Sequence, residues 1–78
     1  MVEKLIKWGN LLEKQRVRLG KTQFELAELT GISDLTIRNI EKGKGSTSLA
    51  NWLKVCDVLG YNVDLHIKRM SDEDRKSI

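Results

Sequence analysis

The side chains with the widest hydrogen-bonding chemistry are clustered between Asp34 and Asn39. Arg38 and Asn39 each present two hydrogen-bonding groups in one plane, which is the geometry that pairs with the edges of guanine and adenine. Asp34 can accept a hydrogen bond from the amino group of cytosine, and Leu35 can contact only the methyl group of thymine. The chemistry that these residue types support is the recognition of nucleic-acid bases.

Residues that could break or form covalent bonds are isolated. Cys56 is the single cysteine and His66 the single histidine, so no zinc cluster and no nucleophile–base pair is indicated. The glycine-containing segment Gly43–Gly45 is short and follows a predicted helix, whereas a phosphate-binding loop precedes one. We therefore predict that the protein is not an enzyme and needs neither a metal nor a cofactor.

The recognition cluster needs a helix before it, and residues 22 to 30 have the pattern of one. Thr22 is a good N-cap, and Glu25 three residues later completes a capping box. The helix then offers an apolar stripe to the core, in which Phe24 is expected to be only partly covered: Phe24, Leu26, Ala27 and Leu29.

A tight turn follows, and a second helix is predicted over residues 33 to 42. Gly31 stands where a left-handed residue is needed, which glycine adopts without steric strain. Ile32 is apolar and is expected to fill the gap between the two helices, and Ser33 is the N-cap of the second helix. Two capped helices joined in this way form a helix-turn-helix, whose second helix enters the DNA major groove.

Two further helices are predicted around this pair. The first begins near Lys4 or Trp8 and runs to Leu19, with Gly20 at its end. The last covers Leu49 to Leu59 after the N-cap Ser48. Each has apolar residues at helical spacing: Leu5, Trp8, Leu12 and Leu19 in the first, and Leu49, Trp52, Leu53, Cys56 and Leu59 in the last.

After Gly60 the hydrophobic period changes from that of a helix to that of a strand. Tyr61, Val63, Leu65 and Ile67 alternate with polar residues. A lone strand has no partner for its backbone hydrogen bonds, so we predict that it pairs with a second copy across a two-fold axis. The expected fold is all-α with four to five helices, in one domain of residues 1–70. It includes a dimerisation strand at 61–69, and a flexible tail follows at 71–78.

Length and charge agree with a small DNA-binding domain. The chain has 78 residues and a net charge of +3, and the whole surplus lies in residues 1–19. A core of this size gives marginal stability, which favours an oligomer. The sequence has no signal peptide and no apolar run long enough to cross a bilayer, so we expect a cytoplasmic protein that does not bind membranes.

From about Trp8 to Gly60 the chain resembles the Cro/repressor type of helix-turn-helix domain, the XRE family. The matching segments are LGKTQxELA at 19–27, GIS at 31–33, TIxxIExGK at 36–44 and SLxxWLKV at 48–55. The strand YNVDLHIKR at 61–69 resembles the HipB-like branch, in which such a strand forms a shared two-stranded cap in the dimer. Members of that branch are commonly antitoxins that repress their own operon and bind a HipA-like kinase toxin.

The resemblance implies a role for each matching residue. Gln23 corresponds to a residue that contacts backbone phosphate and helps to orient the next helix. Arg16 and Glu41 correspond to a buried salt bridge between the first and third helices. The other implied DNA contacts are phosphate contacts by Lys21, Thr22, Lys42 and Lys44, and base contacts by Ser33, Asp34, Leu35, Thr36, Arg38 and Asn39.

Structural alternatives exist for several of these residues. Asp34 can complement the dipole of its own helix instead of contacting a base, and it departs from relatives that carry an amide or a basic residue there. Arg38 can pair with Asp34 four residues earlier, Leu35 can pack against the preceding helix, and Asn39 can contact phosphate as well as a base. Gln23 can be a solvated residue of a first helical turn.

The function expected from these patterns is transcriptional repression by a homodimer bound to double-stranded operator DNA. The finer expectation is an autoregulating antitoxin of the HipB-like kind with a HipA-like kinase partner. Two other classes stay open. One is a stand-alone regulator of the phage or plasmid type, and the other is a protein-interaction module that kept the fold but lost DNA binding.

Overall fold

A computed structural model describes residues 2–64, and these form four helices. They are α1 (Val2–Arg18), α2 (Gln23–Thr30), α3 (Asp34–Glu41) and α4 (Leu49–Val58). The all-α prediction is confirmed, and only α1 differs clearly from the predicted bounds, since it begins before Lys4. Within the described range, every helix is too short or too polar to cross a lipid bilayer.

The core lies where the four helices meet, and it is built mainly from branched aliphatic side chains. Its buried apolar residues are Leu12, Leu26, Ala27, Ile32, Ile37, Ile40, Trp52, Val55, Cys56 and Leu59. Several residues assigned to apolar stripes are not part of it. Trp8, Leu19, Phe24, Leu29, Leu49 and Leu53 are all at least two-fifths exposed. Helices α2 and α3 have only eight residues each. A helix of this length buries only a narrow strip of side chains, which leaves Phe24 and Leu29 of α2 exposed.

Two glycines allow α1 to lie directly against the end of α3 and the loop after it. A Cβ added to Gly9 would lie 2.5 Å from the carbonyl oxygen of Ile40, and one added to Gly43 would lie 2.5 Å from the Cα of Ile6. These distances are shorter than side chains tolerate, so each position requires glycine. The weak helix propensity of Gly9 is therefore offset by close packing, which explains why α1 continues through it.

Among residues 2–64, an apolar groove lies between α1 and α4. Trp8 and Leu11 line it from α1, Trp52 and Leu53 from α4, and Tyr61 and Val63 from the segment that follows α4. Trp52 is buried, whereas Trp8 and Val63 are about half exposed. We call this surface the α1/α4 groove.

The predicted strand begins in the described range and continues beyond it. Gly60 ends α4 with a φ of +86°, and residues 61–64 have no regular secondary structure in the single chain. Leu65, Ile67 and the tail 71–78 lie outside the described residues. Because a strand needs a neighbour for its backbone hydrogen bonds, the strand and its pairing across a dimer stay predictions.

Candidate nucleic-acid interface

The interface begins at the N-terminus of α2, which is closed by the predicted capping box. The Thr22 hydroxyl accepts from the backbone N–H of Glu25 at 3.0 Å, and the Glu25 carboxylate accepts from the backbone N–H of Thr22 at 2.9 Å. The Thr22 backbone N–H, followed by the Thr22 hydroxyl, holds the pKa of the Glu25 carboxyl below its usual range. The backbone N–H and the hydroxyl of Thr22 are both hydrogen-bonded, so the start of α2 is fixed before any ligand binds.

The turn between α2 and α3 is fixed by backbone geometry and by one threonine. Gly31 has a φ of +73°, and its N–H donates to the carbonyl of Ala27 at 2.9 Å. The Thr30 hydroxyl donates to the carbonyl of Leu26 at 2.8 Å and accepts from the N–H of Ile32 at 3.3 Å. Ile32 is buried beneath the turn, as its apolar character predicted.

The start of α3 uses two of the predicted base-contact residues as a cap. The Ser33 hydroxyl accepts from the backbone N–H of Thr36 at 3.2 Å and donates to the Thr36 hydroxyl at 2.9 Å. Ser33 is exposed and Thr36 is half-buried. The Ser33 proton is engaged in this bond, whereas the Thr36 hydroxyl only accepts among the described residues and keeps its own proton for a base.

Helix α3 has one buried side and one exposed side. Ile37 and Ile40 are completely buried, whereas Asp34, Leu35 and Arg38 face solvent. Leu35 is 58% exposed and is not part of the core. Asn39 is half-buried.

Asp34 and Arg38 are paired across one turn of this exposed side. The Asp34 Oδ2 lies 3.7 Å from the Arg38 Nη2, and the two side chains are 58% and 47% exposed. This is the ion pair considered above as an alternative to base contact. In high dielectric such a pair contributes little, about 0.3–0.5 kcal/mol, so it leaves Arg38 available to a ligand.

A buried polar network anchors α3 to α1 and α2. The Glu41 carboxylate accepts from the Arg16 Nε at 2.7 Å, the Arg16 Nη2 at 3.1 Å and the Gln23 Nε2 at 2.9 Å. The Arg16 Nη1 also donates to the carbonyl of Lys21 at 2.8 Å. The side chains of Arg16 and Glu41 are only 11% and 2% exposed. We call these contacts the Arg16–Glu41–Gln23 network. They fix the start of α2 relative to the end of α3.

The network also determines how Gln23 can meet a phosphate. Its amide nitrogen is already bonded to Glu41, so the amide plane is held before DNA binds. A phosphate contact would have to come from the second N–H of this amide or from the backbone N–H of the first turn. The structure therefore connects the phosphate candidate at the start of α2 to the orientation of α3, as the implied role requires.

Four of the predicted contact residues meet around one open cleft. Lys21, Thr22 and Gln23 line it from the start of α2, together with Asp34 from α3. Lys42 and Lys44 lie just beyond the end of α3 and are exposed. Within the described range neither lysine has a carboxylate within 4.0 Å, so both ammonium groups remain available for phosphate.

Phe24 is a candidate that the sequence interpretation assigned mainly to the core. It lines the same cleft and is 65% exposed. An exposed aromatic ring beside Gln23 can contact a sugar or a thymine methyl group. The sequence signal for this role was that Phe24 directly follows Gln23, a predicted phosphate contact, in the first turn of α2.

Cys56, which carries a potentially nucleophilic thiol, is buried. Burial raises the pKa of the Cys56 thiol, which disfavours the nucleophilic thiolate. Among residues 2–64, no three His, Cys, Asp or Glu side chains come together to hold a metal ion. The chemistry available at the cleft is hydrogen bonding and ion pairing with an anion.

The sequence is similar to a known repressor. It is 28% identical over 67 residues to the cryptic phage CTXphi transcriptional repressor RstR of Vibrio cholerae, a match that covers 86% of this chain and 60% of the repressor. The chain therefore spans less than two thirds of that relative.

Two solved structures share the fold. The restriction-modification controller protein C.AhdI from Aeromonas hydrophila matches with a TM-score of 0.69 and 32% identity, over 77% of this chain and 91% of that chain. A chain in the structure of a HipA-HipB-O2-O3 complex matches with a TM-score of 0.71 and 30% identity, over 82% of this chain and 90% of that chain.

The family profile HTH_3, described as helix-turn-helix, matches residues 12–66. This range contains α2, the turn, α3 and α4, and it includes the Arg16–Glu41–Gln23 network. The resemblance inferred from the residues is confirmed at the level of the family. The chain belongs to the helix-turn-helix family of the XRE type.

Proposed function

We propose that this chain is a sequence-specific DNA-binding transcriptional repressor that acts as a cytoplasmic homodimer. Each subunit would insert the exposed side of α3 into a major groove, with half-sites roughly 34 Å apart on one face of the DNA. Repression would follow from occupancy of a promoter.

The observation that carries this proposal is the exposed side of α3 within a rigid frame. Arg38 and Leu35 are presented to solvent while Ile37 and Ile40 are buried. The capping box, the turn and the Arg16–Glu41–Gln23 network hold that side in place. Available lysines after α3 and polar groups at the start of α2 would bind phosphates and set the register of the helix in the groove.

The test is a titration of the protein with DNA from its own promoter, and with random DNA, at several salt concentrations. We expect tight binding to the promoter fragment that weakens steeply with salt, because phosphate contacts release counterions. Equal, weak binding to both DNAs would contradict the proposal.

Two matched variants separate base contact from phosphate contact. Arg38→Ala should reduce promoter binding by more than binding to random DNA, since a lost guanine contact removes about 1–3 kcal/mol of discrimination. Lys42→Ala should weaken binding to both DNAs alike and lower the salt slope by about one. If Arg38→Ala weakened binding to both DNAs equally, as expected for Lys42→Ala, Arg38 would not be a base contact.

The homodimer is supported by the α1/α4 groove. Trp8, Leu11 and Val63 leave two-fifths or more of their surface exposed, and contiguous apolar surface of this kind marks an interaction site. The described chain reaches the groove at residues 61–64, directly before the apolar positions 65 and 67 of the predicted strand. We propose that two chains pair through these strands and cover the groove.

Light scattering on truncated chains tests the dimer. A chain lacking residues 61–78 should be a monomer with weak DNA binding, whereas one lacking only 71–78 should remain a dimer. Trp8→Glu should also weaken association, because it places a charge in the groove. Leu29→Glu changes an exposed leucine of α2 and serves as its control. Persistence of the dimer without residues 61–78 would rule out strand pairing.

The finer proposal is an antitoxin of the HipB-like kind that holds a kinase toxin while it represses its own operon. It is supported by the likeness to a chain of the HipA-HipB-O2-O3 complex and by the predicted strand after α4. Affinity capture from the native cell should recover a kinase-like protein, and the neighbouring gene should encode it. If neither is found, the antitoxin proposal fails.

A stand-alone regulator is the alternative, and the similarity to a phage repressor favours it. It predicts the same promoter binding without a kinase-like partner. A protein-interaction module without DNA binding is favoured by the negative charge of Asp34 on α3. Steep salt dependence in the promoter titration would argue against that module.

A further inference from the structure

The exposed side of α3 carries both signs of charge within one helical turn. Asp34 is the first residue of α3, and its Oδ2 lies 3.7 Å from the Nη2 of Arg38. The acid precedes the base by four residues, which is the favourable order for an intrahelical pair. The two Cα positions are separated by about 6 Å along the helix axis, so the side chains can meet the same base pair or its neighbour.

A carboxylate on this side of α3 has a clear electrostatic consequence in a groove lined by phosphates. Alone, Asp34 would be repelled by the DNA backbone and would lower affinity for every sequence. The adjacent guanidinium offsets that charge while both groups stay about half exposed. The carboxylate therefore keeps lone pairs for a hydrogen-bond donor, and the guanidinium keeps N–H groups for an acceptor.

The two groups have complementary requirements on the edge of a base pair. An aspartate only accepts hydrogen bonds, and in the major groove it accepts from the amino group at cytosine N4. An arginine only donates, and its planar fork matches guanine O6 and N7. Both partners are present in a G·C pair. Thymine has no amino group for Asp34 and only the single acceptor O4 for Arg38, and adenine has an amino donor but lacks the two adjacent acceptors that the guanidinium fork needs.

We propose that Asp34 and Arg38 form one specificity unit that selects a guanine and a cytosine within one base-pair step of each other. Arg38 donates to guanine, and Asp34 accepts from cytosine N4 while it positions the guanidinium. This inference rests on the proposed DNA-binding function and names the base pairs that α3 selects. Asp34 then increases selectivity, although its negative charge alone opposes DNA binding.

The experiment is a selection from random double-stranded DNA with the full chain, followed by affinity measurements on the selected site and its single-base variants. Asp34→Asn removes the charge and retains the shape of the side chain. Asp57→Asn makes the same change on α4, at an exposed residue, and controls for net charge. Arg38→Lys keeps the positive charge but lacks the planar fork.

We expect the unchanged protein and Asp57→Asn to select the same site, which contains the adjacent guanine and cytosine. Asp34→Asn should bind random DNA more tightly and lose about tenfold or more of its discrimination between cytosine and adenine, because the new amide both donates and accepts and so also pairs with adenine. Its preference at the guanine position should change by no more than about twofold, because the exposed pair with Arg38 contributes little. Arg38→Lys should lose the guanine preference while it retains salt-dependent binding.

Two results would overturn the proposal, and they differ from each other. If Asp34→Asn selects the same site with the same base preferences, Asp34 serves only to complement the dipole of α3, and the DNA-binding function stands. If the unchanged protein selects no site above random DNA, the DNA-binding function fails as well.

Discussion

The α2–α3 side of this domain has its buried polar groups hydrogen-bonded, whereas the α1–α4 side leaves apolar side chains exposed. On the α2–α3 side, caps at Thr22 and Ser33 and the Arg16–Glu41–Gln23 network satisfy the buried polar groups. On the other side, Trp8 and Val63 leave the α1/α4 groove half open. A recognition surface must be rigid before DNA arrives, whereas an apolar surface can be left for a second chain to cover. The contrast teaches that the buried polar contacts of this small domain lie on one side, while its exposed apolar groove lies on the other.

Removal of Arg16 should have the largest effect on the rigid side. Arg16→Ala would leave the Glu41 carboxylate buried without its main partner, and we expect a loss of about 3–5 kcal/mol in the free energy of unfolding. Urea denaturation measures it. Arg18→Ala is the control, because Arg18 is exposed and its side chain bonds, among residues 2–64, only to Gln15 at 3.4 Å. Equal stability of the two variants would remove the structural role of the network.

Gly9→Ala tests the contact between α1 and the end of α3. Alanine favours an exposed helix by about 0.8–1.0 kcal/mol, but here its Cβ would meet the Ile40 carbonyl oxygen at 2.5 Å. We expect net destabilisation, with overpacking contributing about 1–3 kcal/mol. In Gly45→Ala the new Cβ meets only Leu5 at 3.6 Å, so thermal denaturation should show little change. A more stable Gly9→Ala chain would contradict the close approach.

The capping box should make the stability of the rigid side depend on pH. The pKa of Glu25 is lowered in the folded chain, so the charged form stabilises the fold. That contribution is present above the unfolded pKa and is lost as pH falls through the folded pKa. Glu25→Gln should flatten the acid limb of stability as pH falls below the ordinary glutamate range. Glu28→Gln makes the same change at an exposed position of the same helix and is the control, and identical limbs in both variants would contradict the box.

The smallest effect concerns Cys56, which borders the α1/α4 groove. Because the thiol is 8% exposed and burial raises its pKa, a thiol reagent should modify it slowly at neutral pH and much faster in urea. Dimer formation should slow the reaction further if the groove is covered. Modification at the unfolded rate in native buffer would show that this part of the core opens readily.

Local elements were predictable because their causes lie within a few residues. The helix ends follow from the side chains or backbone preferences of single capping residues. Each predicted cap is confirmed at its position: Thr22 with Glu25, Gly31, Ser33 and Ser48. The early start of α1 was missed, because Gly9 weakens a helix in isolation and only its packing against Ile40 offsets this.

What the amino-acid sequence fixes alone is the order of elements, the turn and the family, since these follow from caps, spacing and local patterns. Tertiary structure decided which side chains face the ligand. Phe24 and Leu29 fit an apolar stripe by spacing but are exposed, because two eight-residue helices bury only a narrow strip. Arg16 and Glu41 are 25 residues apart. Their contact depends on how α1 packs against α3, and that is a property of the complete fold.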